Sequence, residues 1–142
     1  MRRLRGGGER GAAAVELAFV LPVLLLIVFG TIDFGRLLHA RITLTEAARE
    51  GARAVALGES ADAARARAVR AAGSMTSKPL PTAADVQVVP CGAGADPGAA
   101  TVTVRHTFHF VTPFGALARI VGGSGPGETV AMEATGVMTC SA

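Results

Sequence analysis

A carboxylate at the mouth of an apolar run is the side chain with the most chemical consequence in this sequence. Glu16 follows Gly11-Ala12-Ala13-Ala14-Val15 and stands directly before Leu17 to Ile32, a stretch without a formal charge. An ionisable group at the edge of hydrocarbon is costly unless it reaches water or finds a partner, which makes it a functional candidate. The bland alternative is an acid that happens to sit at headgroup level. Other reactive residue types are few. Cys91 and Cys140 lie too far apart for a C-x-x-C redox or zinc pair. In an oxidising exterior they read as one disulfide, closing a loop of about 50 residues and stabilising by about 3 to 4 kcal/mol in the chain-entropy model.

His106 and His109 have the look of an H-x-x-H pair, but along a strand this spacing sends them to opposite faces, so they cannot simply share one metal. An interior and a surface histidine is the reading they support. His39 lies between Arg36 and Arg41, a setting that disfavours a cation. The sequence has no G-x-S-x-G, no phosphate loop and no paired carboxylates in a plausible cleft. No enzymatic activity, cofactor, metal or small-molecule substrate is expected.

The flanks of the apolar run set its orientation. Arg2, Arg3, Arg5 and Arg10 against Glu9 form a short basic leader, residues 1–11, which the positive-inside rule holds in the cytoplasm. Ala12 to Ile32 is 21 residues long. A helix of that length spans about 31 Å, against about 30 Å of hydrocarbon. Residues 12–32 therefore read as one transmembrane helix of the cytoplasmic (inner) membrane, with its amino terminus cytoplasmic and its carboxyl terminus extracytoplasmic. A cleaved secretory signal is the competitor, but Gly30-Thr31-Ile32-Asp33-Phe34-Gly35-Arg36 offers no small-x-small cleavage site.

The formal charge of +3 suggests nucleic acid at first sight. Without the first eleven residues, ten basic side chains face ten acidic ones. No basic stripe remains to hold phosphates, and nucleic-acid binding is not expected.

Beyond Asp33 the helical period continues. Phe34, Leu37, Leu38, Ile42, Thr45, Ala48, Ala52 and Val55 recur at steps of three and four, which reads as the packed face of an exported continuation, residues 33–57. Glu46 with Arg49, and Glu50 with Arg53, are spaced for i,i+3 ion pairs. Gly58 is placed to end the helix. Pro22 predicts a kink or local unwinding within it. The small residues Ala47, Ala48, Gly51 and Ala52 would let another element approach closely, unless they reflect only an alanine-rich composition.

Residues 58–142 read as a small exported α+β domain. Ser60 can cap a short helix over Ala61 to Ala72, with Asp62 near its start and Arg67 and Arg70 near its end. Gly73 to Pro81 is a polar linker. The period then changes to two: in Thr101 to Phe110, Val102, Val104, His106, Phe108 and Phe110 share one face. Asp85 to Val89 and Thr129 to Cys140 are further strands, with Val130, Met132, Ala134, Gly136 and Met138 on one face of the latter. Pro113 to Val121 suggests a helical turn before a Gly122 to Gly127 loop. The fold class expected is α+β, a long amino-terminal membrane helix continuing into an exported helix packed by a small antiparallel sheet.

A basic leader, then Gly11, then Glu16 as the fifth residue after it, then an apolar helix, resembles the type IV prepilin pattern. Arg10-Gly11-Ala12-Ala13-Ala14-Val15-Glu16-Leu17-Ala18-Phe19-Val20-Leu21-Pro22, with Phe29-Gly30-Thr31-Ile32-Asp33-Phe34-Gly35-Arg36 and Ala47-Ala48-Arg49-Glu50-Gly51-Ala52-Arg53, is similar to the TadE-like family over about residues 10 to 57. These are pseudopilins of the tight-adherence (Flp) pilus system, a type IVb pilus. The resemblance implies a pilin-like fold and cleavage by a prepilin peptidase between Gly11 and Ala12. It also implies a role for Glu16 in subunit assembly, pairing with the new amino terminus of a neighbour. Partners implied are membrane lipid, the peptidase, other pilin or pseudopilin subunits and the assembly platform. Because major pilins of this system are typically very short and this chain carries about 85 residues beyond the long helix, the resemblance points to a minor pilin acting in assembly or adhesion. It would either enter the pilus or stay in the membrane. The alternative is an uncleaved, signal-anchored membrane protein whose exported domain binds a partner; an anchored hydrolase is a weaker third reading.

Overall fold

The computed structural model describes residues 8–94, 96–111 and 129–140. Most of the leader, the Pro113 to Val121 turn and the Gly122 to Gly127 loop lie outside the described residues. Helix α1 (Gly8–Ala56) is followed by α2 (Ala61–Ala71), two single 3-10 turns (Ala72–Ser74 and Ala83–Asp85) and strands β1 (Val86–Val89), β2 (Ala99–His109) and β3 (Thr129–Thr139). The α+β class is as expected. Helix α1 starts four residues before Ala12 and ends one before Leu57. It runs unbroken through Pro22, so the helix does not unwind there. The proline removes a single donor, and the turns on either side persist.

The end of α1 has a specific closure. Gly58 adopts φ +84°, a conformation that is costly for any residue with a Cβ. Its N–H donates to the Val55 carbonyl at 2.9 Å, and that of Glu59 to Ala54 at 3.0 Å, the paired bonds of a Schellman motif. Ser60 then caps α2, its hydroxyl accepting from the Ala63 N–H at 3.2 Å. Arg67 of α2 donates to both Glu50 and Glu59 and holds the two helices together across the turn. The expected pairs Glu46–Arg49 and Glu50–Arg53 do not form among the described residues; Glu50 is drawn to α2 instead.

The three strands form one antiparallel sheet in the order β1-β2-β3. Val86 pairs with Val104 at one end of β1, and β2 and β3 pair one for one from Ala99 with Thr139 to His109 with Thr129. Asp85 falls in the preceding 3-10 turn and not in β1, because its carboxylate is taken by the N–H and hydroxyl of Thr82 at 2.8 and 2.7 Å. These two bonds hold the Asp85 carboxyl below the usual carboxylate range. The period-two reading of β2 is confirmed: Val102, Val104, His106 and Phe108 are buried, while Arg105, Thr107 and His109 are exposed. Phe110 lies one residue past the strand and packs its ring edge-on to Phe108, with centroids 5.3 Å apart. On the outer face, Arg105 donates to Glu133 at 2.8 Å. At this exposure such a pair contributes under about 1 kcal/mol.

The packed face of α1 differs from the expected one. Ala40, Leu44, Ala47, Ala48, Gly51, Ala52 and Val55 are buried, whereas Phe34, Leu38 and Ile42 remain exposed. Small size decides the point of closest approach. A Cβ built on Gly136 of β3 would lie 2.5 Å from the backbone of Ala48, and one on Gly51 would lie 3.0 Å from Val102 and 3.3 Å from Ala68. A glycine opposite alanines lets the sheet backbone touch the helix backbone at this point, while Leu44 and Val55 fill the same face on either side of it.

The contacts also give the relative direction of helix and sheet. Val102 meets Gly51, and Arg36 lies over the Phe108 ring. The six strand steps between them cover about 20 Å, and the fifteen helix steps about 22 Å. Strand β2 therefore runs back along α1, and β1 and β3 run with it. Cys91, just past β1, is bonded to Cys140, just past β3, with Cα atoms 6.1 Å apart. The disulfide joins the two edge strands at the end of the sheet remote from the apolar half of α1.

His106 is buried, with Nε2 3.2 Å from the Oγ of fully buried Ser77, so it fastens the 73–81 linker to the sheet. Burial pushes its imidazole below the ordinary value, the neighbouring His109 acts in the same direction, and Asp85 partly opposes them. The folded chain thus binds this proton more weakly than the unfolded chain, and stability falls as pH drops through the ordinary value of 6.5.

Two outcomes follow for stability. Gly136→Ala is expected to lower it by at least about 2 kcal/mol through overpacking, measured as a lower thermal midpoint with the disulfide intact; an unchanged midpoint would refute the backbone contact. Thermal midpoints of the native protein should fall between pH 7 and pH 5, and His106→Gln should flatten that slope. An equal slope in the variant would assign the effect to another group.

Candidate functional site

Helix α1 carries the residues singled out by the sequence. Among the described residues it is the one helix long and apolar enough to cross a membrane by length and composition, over Gly11–Ala56. Its first part is bare of the other described residues. Every residue from Gly11 to Leu25 is exposed, including Val15, Leu17, Phe19, Val20, Leu21, Val23 and Leu24. An apolar surface of this extent is stable only against lipid or other apolar helices.

Gly11 lies within the helix, and a Cβ built there meets nothing within 4 Å. Glycine costs roughly 1 kcal/mol against alanine in a helix, and no close approach inside the chain requires it. Glu16 is exposed on the same bare surface, and among the described residues it forms no hydrogen bond or ion pair. The structure thus places Gly11, Ala12, Glu16 and Pro22 on one helix, and among the described residues none of them has a side-chain partner.

Among the described residues the first polar contact between α1 and another part of the chain comes where the apolar run ends. Asp33 is buried, and its Oδ1 accepts from Arg36 at 3.1 Å and from the Val111 N–H at 3.3 Å. The Arg36 guanidinium lies 5.4 Å from the Phe108 ring centroid, within cation–π range. These residues fasten the end of β2 to α1 one step beyond Ile32. A buried carboxylate is tolerated because cation and amide both serve it, whereas loss of one partner would leave it costly. Sequence reading had placed Asp33 and Arg36 only at the end of the span. Their i,i+3 spacing was the available signal, and it became meaningful once Val111, 78 residues after Asp33, brought its N–H to the carboxylate.

Phe34, Leu38 and Ile42, at steps of four, form an exposed stripe with relative exposures of 67%, 50% and 52%. Apolar surface therefore extends along one side of α1 from Ala12 to Ile42. That is about 46 Å, longer than a hydrocarbon core of about 30 Å.

The histidines separate as expected, His106 inward and His109 outward. Among the described residues no group of three or more His, Cys, Asp or Glu side chains could hold a metal ion. A cleft of about 450 Å³ beside Pro79, Leu80, Asp85 and His106 is the larger concavity described, and a groove of about 200 Å³ lies between α1 and β3.

Comparison with curated proteins and with solved structures finds no match for this chain. Residues 11–53 match the family model described as TadE-like protein, a stretch that holds Gly11, Glu16, Pro22, Asp33 and Arg36, so this part of the chain is similar to that family.

Proposed function

We propose that the chain is a minor pilin, or pseudopilin, of a tight-adherence pilus, with a structural rather than catalytic role. In this reading residues 12–32 anchor it once through the cytoplasmic membrane with residues 1–11 on the cytoplasmic side. A prepilin peptidase cuts between Gly11 and Ala12, and the processed subunit acts with other subunits and the assembly platform in pilus assembly or adhesion. The TadE-like match ties the helix to the tight-adherence pilus system at the level of the family.

One observation carries the finer reading: Glu16 stands on a bare apolar helix without a partner among the described residues. A carboxylate in hydrocarbon needs a cation, and cleavage after Gly11 would create one, the ammonium of Ala12. Within a single straight helix the two groups lie about 6 Å apart along the axis, so the carboxylate is better placed to pair with the new terminus of an adjacent, staggered subunit. In a low-dielectric bundle that attraction exceeds its value at an open surface, offset in part by desolvation. Gly11 supports the same reading, since nothing inside the fold asks for a glycine there. A peptidase that needs a small residue before the scissile bond does. The exposed stripe Phe34–Leu38–Ile42 extends the surface available for helix packing past the lipid.

The amino-terminal sequence and intact mass of the membrane-extracted protein, expressed with and without a tight-adherence prepilin peptidase, test the processing step. A peptidase-dependent start at Ala12 is expected, and Gly11→Val should abolish it; retention of Met1 or Arg2 in both cases would instead favour a plain signal anchor. Glu16→Ala should be cleaved normally yet reduce the subunit in sheared pili at least tenfold. Wild-type incorporation of that variant would remove the pairing from the account.

A further inference from the structure

We propose that the groove between α1 and the free edge of β3 binds an extended acidic segment of a partner polypeptide, which adds a fourth strand to the sheet. The two edges of the sheet are built differently. Strand β1 is four residues long and is bounded by the Ala83–Asp85 turn and by Pro90, so little of it can accept another strand. Strand β3 pairs with β2 along all eleven of its residues and with nothing described on its other side. Natural sheets protect such an edge with proline, bulges or outward charge. Within Thr129–Thr139 there is no proline and no slip of register, and the sole charge, Glu133, is engaged by Arg105.

The groove beside this edge holds one cation, Arg41, and one carboxylate, Glu133, which Arg105 already engages. Leu37 and Arg41 of α1 face Val130, Met132 and Glu133 across a groove of about 200 Å³. Arg41, like Arg49, Arg53 and Arg70, forms no ion pair among the described residues, and of these four it is the one that lines the groove. Strand addition supplies affinity through backbone hydrogen bonds, and adjoining pockets supply selectivity. Here Leu37 and Met132 offer an apolar floor and Arg41 a point charge, which matches a strand of alternating apolar and polar residues carrying a carboxylate. The disulfide at the end of β3 holds this edge in its extended form before any partner arrives.

The test uses the full chain in detergent micelles and a fluorescein-labelled seven-residue peptide of alternating valine and threonine with a central glutamate. Counterparts carry glutamine or lysine at the centre, and a further one is N-methylated at alternate amides. Fluorescence anisotropy should show the glutamate peptide binding at least tenfold more tightly than the lysine peptide, and no binding of the N-methylated form. Arg41→Gln, at an exposed position, should erase the preference while the glutamine peptide keeps its affinity within twofold. Equal affinity of the glutamate and lysine peptides, or full binding by the N-methylated peptide, would overturn the proposal. So would crosslinking between two copies through a photoreactive residue at position 131, lost in Arg41→Gln, since a second copy would then be the occupant.

Discussion

The fold hangs on one close approach, the backbone of β3 at Gly136 against the backbone of α1 at Ala48. A side chain at either side of that point would lift the sheet off the helix. Once the gap is closed, Val102, Val104 and Phe108 reach the alanine surface of α1, and α2 seals the flank through Ala64 and Ala68. A core with so few large residues gains little from each burial, so close fit has to replace bulk. The disulfide between Cys91 and Cys140 adds a constraint that does not depend on core volume.

The same contact divides the surfaces of α1. The crossing admits only small residues at Ala48, with Leu44 and Val55 packed to either side, and Phe34, Leu38 and Ile42 lie on another side of the helix, where they continue the bare surface of the amino-terminal half. The helix therefore has two kinds of surface along one axis, a face packed on its own sheet and a large-residue face for surroundings supplied by others. Asp33 marks the transition, because among the described residues it is where α1 first makes a polar contact with another part of the chain.

Much of this could be read in the residues before any coordinates. The alternation in Thr101 to Phe110 placed His106 inside and His109 outside, and Ala47, Ala48, Gly51 and Ala52 announced a close approach. What local pattern could not show was the element that arrives. Period alone put Phe34, Leu38 and Ile42 on the packed face, since a helix in sequence has an apolar side but no neighbour to select it. Glu50 was matched with Arg53 one turn away, but the fold offered Arg67 of α2, and Asp85 left its strand for a local bond to Thr82. At the candidate site the sequence was informative about Gly11 and Glu16 because their oddness is local: a glycine and an acid where a helix in lipid needs neither. Asp33 was opaque because its role depends on the Val111 amide.

The near-parallel setting of strands and helix has a mechanical consequence. Hydrogen bonds in an antiparallel ladder lie across the strands, so a pull directed along α1 loads the bonds between β2 and β3 in shear, all together, instead of opening them one after another. The covalent bond between Cys91 and Cys140 joins the ends of both outer strands, so neither can slide past β2 without carrying the other. The sheet is thus oriented to resist tension along the long axis of the molecule and is far more easily peeled from the side.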